Sequence, residues 1–333
     1  TYPTWESFSY AEHTQPLTKE AWVYLPYGYD ENEKYNVFYL SHGGWSDETT
    51  LMGTDEAPTT FKHAIDHAIE AGRIRPLIIV LPTYNNTSPE DSGDYSLAIR
   101  LTENFHNELM NDLIPAVEGR YSTWAEDTTP AGLEASREHR GFGGFSMGSV
   151  NTWRTFEYCL DYFRYFMPMS GNVSLDGGFL ADAVTDAGRD WDDFFIFTAS
   201  GTSDFAYSSF KRQVMNMAAR SDGIFRLADS EAEGNISFRE REGYTHGPMA
   251  ADEYTYNGLR FFWSASESHG TDPTVYTEET RIADVIADPV FGDYGRLLFP
   301  VEEGYYSGDT LAELRMTWYS NIRPEKTVHG LSG

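Results

Sequence analysis

The chain has 333 residues, 40% of them hydrophobic and 15% aromatic, enough to bury a sizeable core in one large α/β domain or two smaller ones. Its 52 acidic residues outnumber 24 basic ones for a net charge of −28, which argues against a nucleic-acid or anionic-membrane partner and leaves a neutral substrate unopposed. A single cysteine, Cys159, rules out an internal disulfide and a cysteine-based zinc site, and no apolar run approaches the ~20 residues of a membrane span.

The chain starts at Thr1, which points to a processed or trimmed N-terminus. "EAWVYLPYGYD" then alternates as a strand, and "YNVFYLSHGG" is a buried apolar run that stops at Gly43-Gly44. Phe61, Ala64, Ile65, Ala68 and Ile69 recur at helical spacing, with Pro58 suited to a first turn and Gly72 to a C-terminal cap. "PLIIVLP" is another buried strand. Leu109, Leu113 and Val117 mark a helix that Pro115 should kink or shorten. "GFGGF" reads as a strand followed by a helix carrying Val150, Trp153, Phe156 and Leu160. "YFMPMSG", "DFFIFTASG" and "NISFREREG" supply three more strands, with helical "SSFKRQVMNMAARS" between the last two. Near-continuous apolar strands alternating with helices predict an α/β fold with a mostly parallel sheet covered on both faces. After "LRFFW" the polar run "SASESHGTDPT" changes the character of the chain. The expected organisation is a domain over residues 1–264, then a linker and C-terminal extension over 265–333. The apolar clusters of that extension are too few for an independent core. They should pack on the main domain, on a second subunit, or in a further module of which they are the start.

Gly144-Phe145-Ser146-Met147-Gly148 lies between a strand and a helix, where it fits the G-x-S-x-G nucleophile elbow. A serine hydroxyl is a weak nucleophile until a base takes its proton, and α/β-hydrolases supply the partners in the order Ser, Asp or Glu, His. Three histidines follow Ser146: His246, His269 and His329. His246, in "EGYTHGP" just after a strand, is the expected base; the other two lie beyond the linker. Asp204, in the glycine turn that ends "FFIFTASGTSD", is the expected acid. Asp193 precedes that strand, and Asp222 and Asp229 fall at or after a helix end. Acyl transfer also needs two backbone N–H donors for the oxyanion. Met147, after the nucleophile, gives one, and "HGGW" offers Gly44, or Trp45 as second choice, for the other. His63, Asp66 and His67 in "HAIDH" place two ligand-type imidazoles one turn apart, but no third ligand and no H-E-x-x-H pattern accompanies them. Cys159, on the apolar side of the helix after Ser146, reads as packing.

"ASREHRGFGGFSMG", "YNVFYLSHGG", "RPLIIVLPTYN" and "YFMPMSG" together resemble the feruloyl esterases of carbohydrate esterase family one, particularly the esterase modules of bacterial cellulosomal xylanases. The resemblance runs from about residue 21 to about residue 263. It implies an α/β-hydrolase, without cofactor and acting outside the cell, that cleaves phenolic esters from plant cell-wall arabinoxylan. It carries the nucleophile to Ser146, the acid to Asp204, the base to His246, and the oxyanion donors to Gly44 and Met147; Trp45 is a candidate substrate contact. Two departures bear on the acyl group. Relatives place aromatic residues after "MPMSG", whereas "NVSLDGGFL" has none until Phe179, and they place tryptophan after the histidine, where Gly247-Pro248 stand here. The alternatives are an acetyl, thioester or siderophore esterase on the same fold, or an inactive carbohydrate-binding relative.

Overall fold

An antiparallel ribbon, β1 (Tyr2–Trp5) and β2 (Pro16–Lys19), opens the chain, and the apolar runs that follow it become one seven-stranded sheet. The structure is a computed structural model that describes residues 1–263 apart from Tyr27 and Ala71. The expectations for the linker and the C-terminal extension, and for His269 and His329, lie outside the described residues.

The sheet comprises β3 (Trp22–Tyr24), β4 (Asn36–Ser41), β5 (Leu77–Leu81), β6 (Arg140–Phe145), β7 (Tyr165–Met169), β8 (Phe195–Gly201) and β9 (Ile236–Arg241). Their spatial order is β3-β5-β4-β6-β7-β8-β9. Only β3, at an edge, runs antiparallel to its neighbour. Strands β4 to β8 are buried along almost their whole length, which is why they read as continuous rather than alternating apolar runs.

The helices are α1 (Thr60–Glu70), α2 (Tyr95–Glu108), α3 (Ile114–Glu118), α4 (Pro130–Ala135), α5 (Met147–Tyr158), α6 (Gly178–Asp186), α7 (Tyr207–Ala218) and α8 (Pro248–Leu259). Pro115 does not end its helix. A π-type turn over Leu109–Leu113 joins α2 to α3, and this wider turn accommodates a residue that has no N–H to donate. α2 starts fourteen residues before Leu109 because the Asp94 carboxylate accepts from the amides of Ser96 (2.9 Å) and Leu97 (3.0 Å), a side-chain N-cap.

The described residues fall into two compact units. The first, residues 1–50 and 76–246, holds the whole sheet. Val37, Tyr39, Ile78, Val80, Phe142, Phe166 and Ile196 project from its strands into one core with Leu101, Phe105, Trp153, Phe156 and Phe210 of the helices. α5 packs on β6 and β7, α7 on β8 and β9, and α2 on α5. At the start of β6 the guanidinium of Arg140 pairs in bidentate fashion with Glu118 (2.6 and 2.9 Å) and donates to the carbonyls of Leu133 and Tyr162. Both charges are almost fully buried and each is satisfied. The second unit holds α1 and α8. The α1 positions expected to be apolar are all buried. On the opposite face Lys62 pairs with Asp66 (2.6 Å) and His67 with Glu70 (3.5 Å), so Asp66 is engaged by a cation within its own helix.

Candidate active site

Ser146 sits between β6 and α5 at φ 61°, ψ −117°, a backbone conformation that an L-residue adopts only under constraint from its surroundings. The constraints are visible. The Ser146 amide donates to the Met169 carbonyl of β7 (2.9 Å), and its own carbonyl accepts from Ser149 and Val150 in the first turn of α5. The flanking glycines are required by close approach. A Cβ on Gly144 would stand 2.6 Å from the Ser41 carbonyl oxygen, and one on Gly148 would stand 2.5 Å from the same atom. Strand β4 therefore presses against both sides of the elbow, and the Ser146 side chain is lifted above the end of the sheet.

The loop after β4 lies against this elbow. A Cβ on Gly43 would lie 3.7 Å from the Cβ of Ser146. The Gly43 carbonyl accepts from the Tyr84 hydroxyl (2.7 Å) and from Nδ1 of His42 (2.7 Å). A carbonyl can only accept, so Nδ1 of His42 carries the proton. Nε2 then accepts from the hydroxyl of Thr83 (2.8 Å). The His42 ring is stacked on Tyr84 at 4.4 Å. Burial drives its pKa from 6.5 down to about 4, against a smaller opposing effect of the bond to Gly43. His42 is thus a neutral prop under the loop.

Of the two expected loop donors, Gly44 and Trp45, the structure separates the roles. The Trp45 amide donates to the Ser92 carbonyl (3.1 Å) and is spoken for, whereas the Gly44 amide meets no acceptor among the described residues. Met147 is the first residue of α5, and a first-turn amide has no acceptor within its own helix. Trp45 itself stands at φ 55° with 78% of its surface exposed. A buried brace holds it there. The Ser92 hydroxyl donates to the Ser46 carbonyl, Asn85 donates to the same carbonyl and to that of Pro89, and the Ser92 amide donates to Asn85.

Asp204 follows β8 and His246 follows β9, neighbouring parallel strands whose C-terminal ends bring the two loops together. Nδ1 of His246 lies 2.8 and 2.9 Å from the two carboxylate oxygens of Asp204. The Asp204 side chain is fully buried and that of His246 is 19% exposed, so the acid is sealed and the imidazole faces outward. Burial pushes the Asp204 carboxyl upward, but the bonds from His246 and from the Ala206 amide outweigh it and hold the carboxyl below its ordinary value. Phe145, the residue before Ser146, packs its ring 4.5 Å from the imidazole, and Phe205 lies 4.3 Å from it. The other acids are occupied elsewhere. Asp193 caps the Asp190 amide, Asp222 pairs with Arg220, and Asp229 is an exposed partner of Arg239. The Cys159 thiol is fully buried, and burial raises its pKa. Thr83, Tyr84, Asn85, Ser92 and Phe205 were not legible as site residues, because their partners are backbone carbonyls or rings distant in sequence; the only local cue is the polar "TYNNTS" that follows the β5 run.

Chains with this sheet order and a serine elbow at the end of the central strand are α/β-hydrolases, and this is one. The model of the Esterase family matches residues 18–217. The chain belongs to that family of ester hydrolases, among the feruloyl esterases. It is 40% identical over 252 residues to endo-1,4-beta-xylanase Y of Acetivibrio thermocellus, an alignment covering 74% of this chain and 22% of that protein. An endo-1,4-beta-xylanase/feruloyl esterase of Xylanibacter ruminicola is 31% identical over 135 residues, which is 39% of this chain and 16% of the relative. The chain thus spans about a fifth of the length of the curated relatives it matches. Among solved structures, a mutant of the feruloyl esterase module from Clostridium thermocellum, complexed with sinapinate, superposes with a TM-score of 0.69 at 37% identity, covering 82% of this chain and 90% of that one. A ferulic acid esterase of Anaeromyces mucronatus, with a TM-score of 0.55 at 21% identity over 80% and 93% of the two chains, shares the fold.

Proposed function

We propose that the chain is a serine esterase that releases hydroxycinnamates, ferulate first among them, from the sugars of plant cell-wall polysaccharide. The observation that carries the reading is the Asp204–His246 pair, set beside the Ser146 elbow through the contact of Phe145 with the imidazole. In the first half-reaction Ser146 Oγ attacks the ester carbonyl as His246 Nε2 takes its proton. The carbonyl oxygen becomes an oxyanion held by the amides of Gly44 and Met147. His246 then passes the proton to the departing sugar oxygen as its bond to the carbonyl carbon breaks, leaving an acyl-serine. In the second half-reaction water takes the place of the alcohol, His246 takes its proton and returns it to Ser146 Oγ, and the free acid leaves. Asp204 keeps Nδ1 protonated and stabilises the imidazolium without being protonated itself. Trp45 offers a fixed aromatic wall beside the oxyanion loop for the substrate.

The hydroxycinnamoyl reading is supported by the sinapinate-bound relative and by the xylanases in which related sequence occurs. A net charge of −28 suits an uncharged polysaccharide, and a polymer of that kind is met outside the cell. Residues 1–264 form the esterase domain in this reading, with 265–333 as linker and extension. The test is twofold. A fluorophosphonate probe should label Ser146 and leave Ser146→Ala unlabelled. In parallel assays, methyl ferulate and methyl sinapate should be hydrolysed with higher kcat/KM than 4-nitrophenyl acetate corrected for its intrinsic reactivity. Labelling without cinnamate preference would refute the substrate, and absence of labelling would refute the mechanism.

A further inference from the structure

Phe205 is the most exposed large apolar side chain among the described residues, with 82% of its surface open. It stands directly after Asp204, in the turn that leads to α7, and its ring centroid lies 4.3 Å from that of His246 at a 38° tilt. An aromatic ring left so open contributes little to folding and costs hydration free energy. Neither the core nor α7 requires it there: Ala206 and Phe210 are the buried residues at the start of that helix, and the Asp204–His246 bonds do not involve the Phe205 side chain.

The chemistry of the site specifies what would cover it. Building on the proposed function, the leaving oxygen takes its proton from His246, so the alcohol of the ester must come within hydrogen-bond reach of the imidazole, about 3 Å. The acyl group and the oxyanion occupy the other two directions from the carbonyl carbon. Whatever alcohol stands at His246 therefore stands beside Phe205, whose ring adjoins the imidazole and is otherwise open to solvent. A methyl alcohol is too small to cover a phenyl ring, whereas a pentose presents an apolar face of C–H groups of matching size. Apart from the imidazole of His246, no cationic side chain among the described residues stacks on the Phe205 ring, which fits a neutral ligand. We infer that Phe205 is the platform for the sugar on the alcohol side of the scissile ester, and that it sets the preference for glycosyl over simple alkyl esters.

The experiment compares two substrates that share the acyl group and differ in the alcohol: methyl ferulate, and a feruloylated arabinoxylo-oligosaccharide. Because Phe205 is exposed, Phe205→Ala should fold, which thermal melting checks. The variant should lose on the order of five- to tenfold more in kcat/KM on the oligosaccharide than on methyl ferulate, the difference lying mostly in KM. Phe205→Tyr should restore the oligosaccharide rate. Equal losses on both substrates would mean that Phe205 serves only to position His246 and would overturn the inference, as would no loss on either. Wild-type protein inactive on both ferulates would instead count against the acyl group proposed above. The question is then put to Phe205 with methyl acetate and an acetylated xylo-oligosaccharide, where a selective loss on the sugar ester supports it and equal or absent losses overturn it.

Discussion

His42 gives the oxyanion loop a built-in sensitivity to acid. The native imidazole is fully enclosed and resists protonation down to about pH 4, whereas the unfolded one takes up a proton below about 6.5. Between those values the unfolded state binds the extra proton, so falling pH favours unfolding. The stabilisation from keeping His42 neutral is complete above pH 6.5, declines by ~1.4 kcal/mol per pH unit below it, and is gone near pH 4, a total of ~3 kcal/mol. His42→Asn removes the titration while placing an amide nitrogen near the Nδ1 position, where it can donate to the Gly43 carbonyl. Urea unfolding of both proteins at pH 7, 6, 5 and 4.5 isolates the effect, because other groups, His139 included, contribute equally to the two. The wild-type advantage should be largest at pH 7 and shrink by roughly 2–3 kcal/mol at pH 4.5. A difference in unfolding free energy that stays constant with pH would show that His42 does not titrate as described, and the account of the prop under Gly43 would fail with it.

Asp204→Asn should lower kcat by up to ~10⁴ through the wrong imidazole tautomer, as in the serine proteases, with Asp193→Asn and Asp222→Asn near wild type in the same assay. Glu118→Ala leaves the Arg140 guanidinium buried without its carboxylate and should cost ~3–5 kcal/mol by chemical denaturation, a loss that the apolar core around it cannot offset. Trp45→Gly relieves a left-handed backbone conformation worth ~1–2 kcal/mol. It should match or raise the melting temperature while raising KM for cinnamate esters; a large drop in melting temperature would contradict the view that the brace serves function rather than folding.

The strands β4 to β8 were legible because strands buried on both faces leave an unbroken apolar run, and the elbow was legible because the approach of Ser41 leaves room only for glycine at positions 144 and 148. β1 and β2 left no such trace. They are four residues each, and what fixes them lies far along the chain: Tyr2 and Lys19 both bond to buried Glu108, and Lys19 also donates to the Thr83 carbonyl. The spacing of Leu109, Leu113 and Val117 marks only the C-terminal continuation of α2, whose own signals are the Asp94 cap and the spacing of Ala98, Leu101 and Phe105. At the site, chain order and strand ends pointed to Asp204 and His246. The brace of Asn85 and Ser92, the neutral His42 and the exposure of Phe205 depend on tertiary partners and could not be read from local pattern.

Incubation of the protein with feruloylated arabinoxylan, with free ferulate quantified by chromatography and Ser146→Ala in parallel, decides whether Ser146 releases ferulate from the polysaccharide. Steady release is expected from the wild-type protein and none above background from the variant. Release that persists in Ser146→Ala, or a folded wild-type protein that releases no ferulate, would contradict the proposed function.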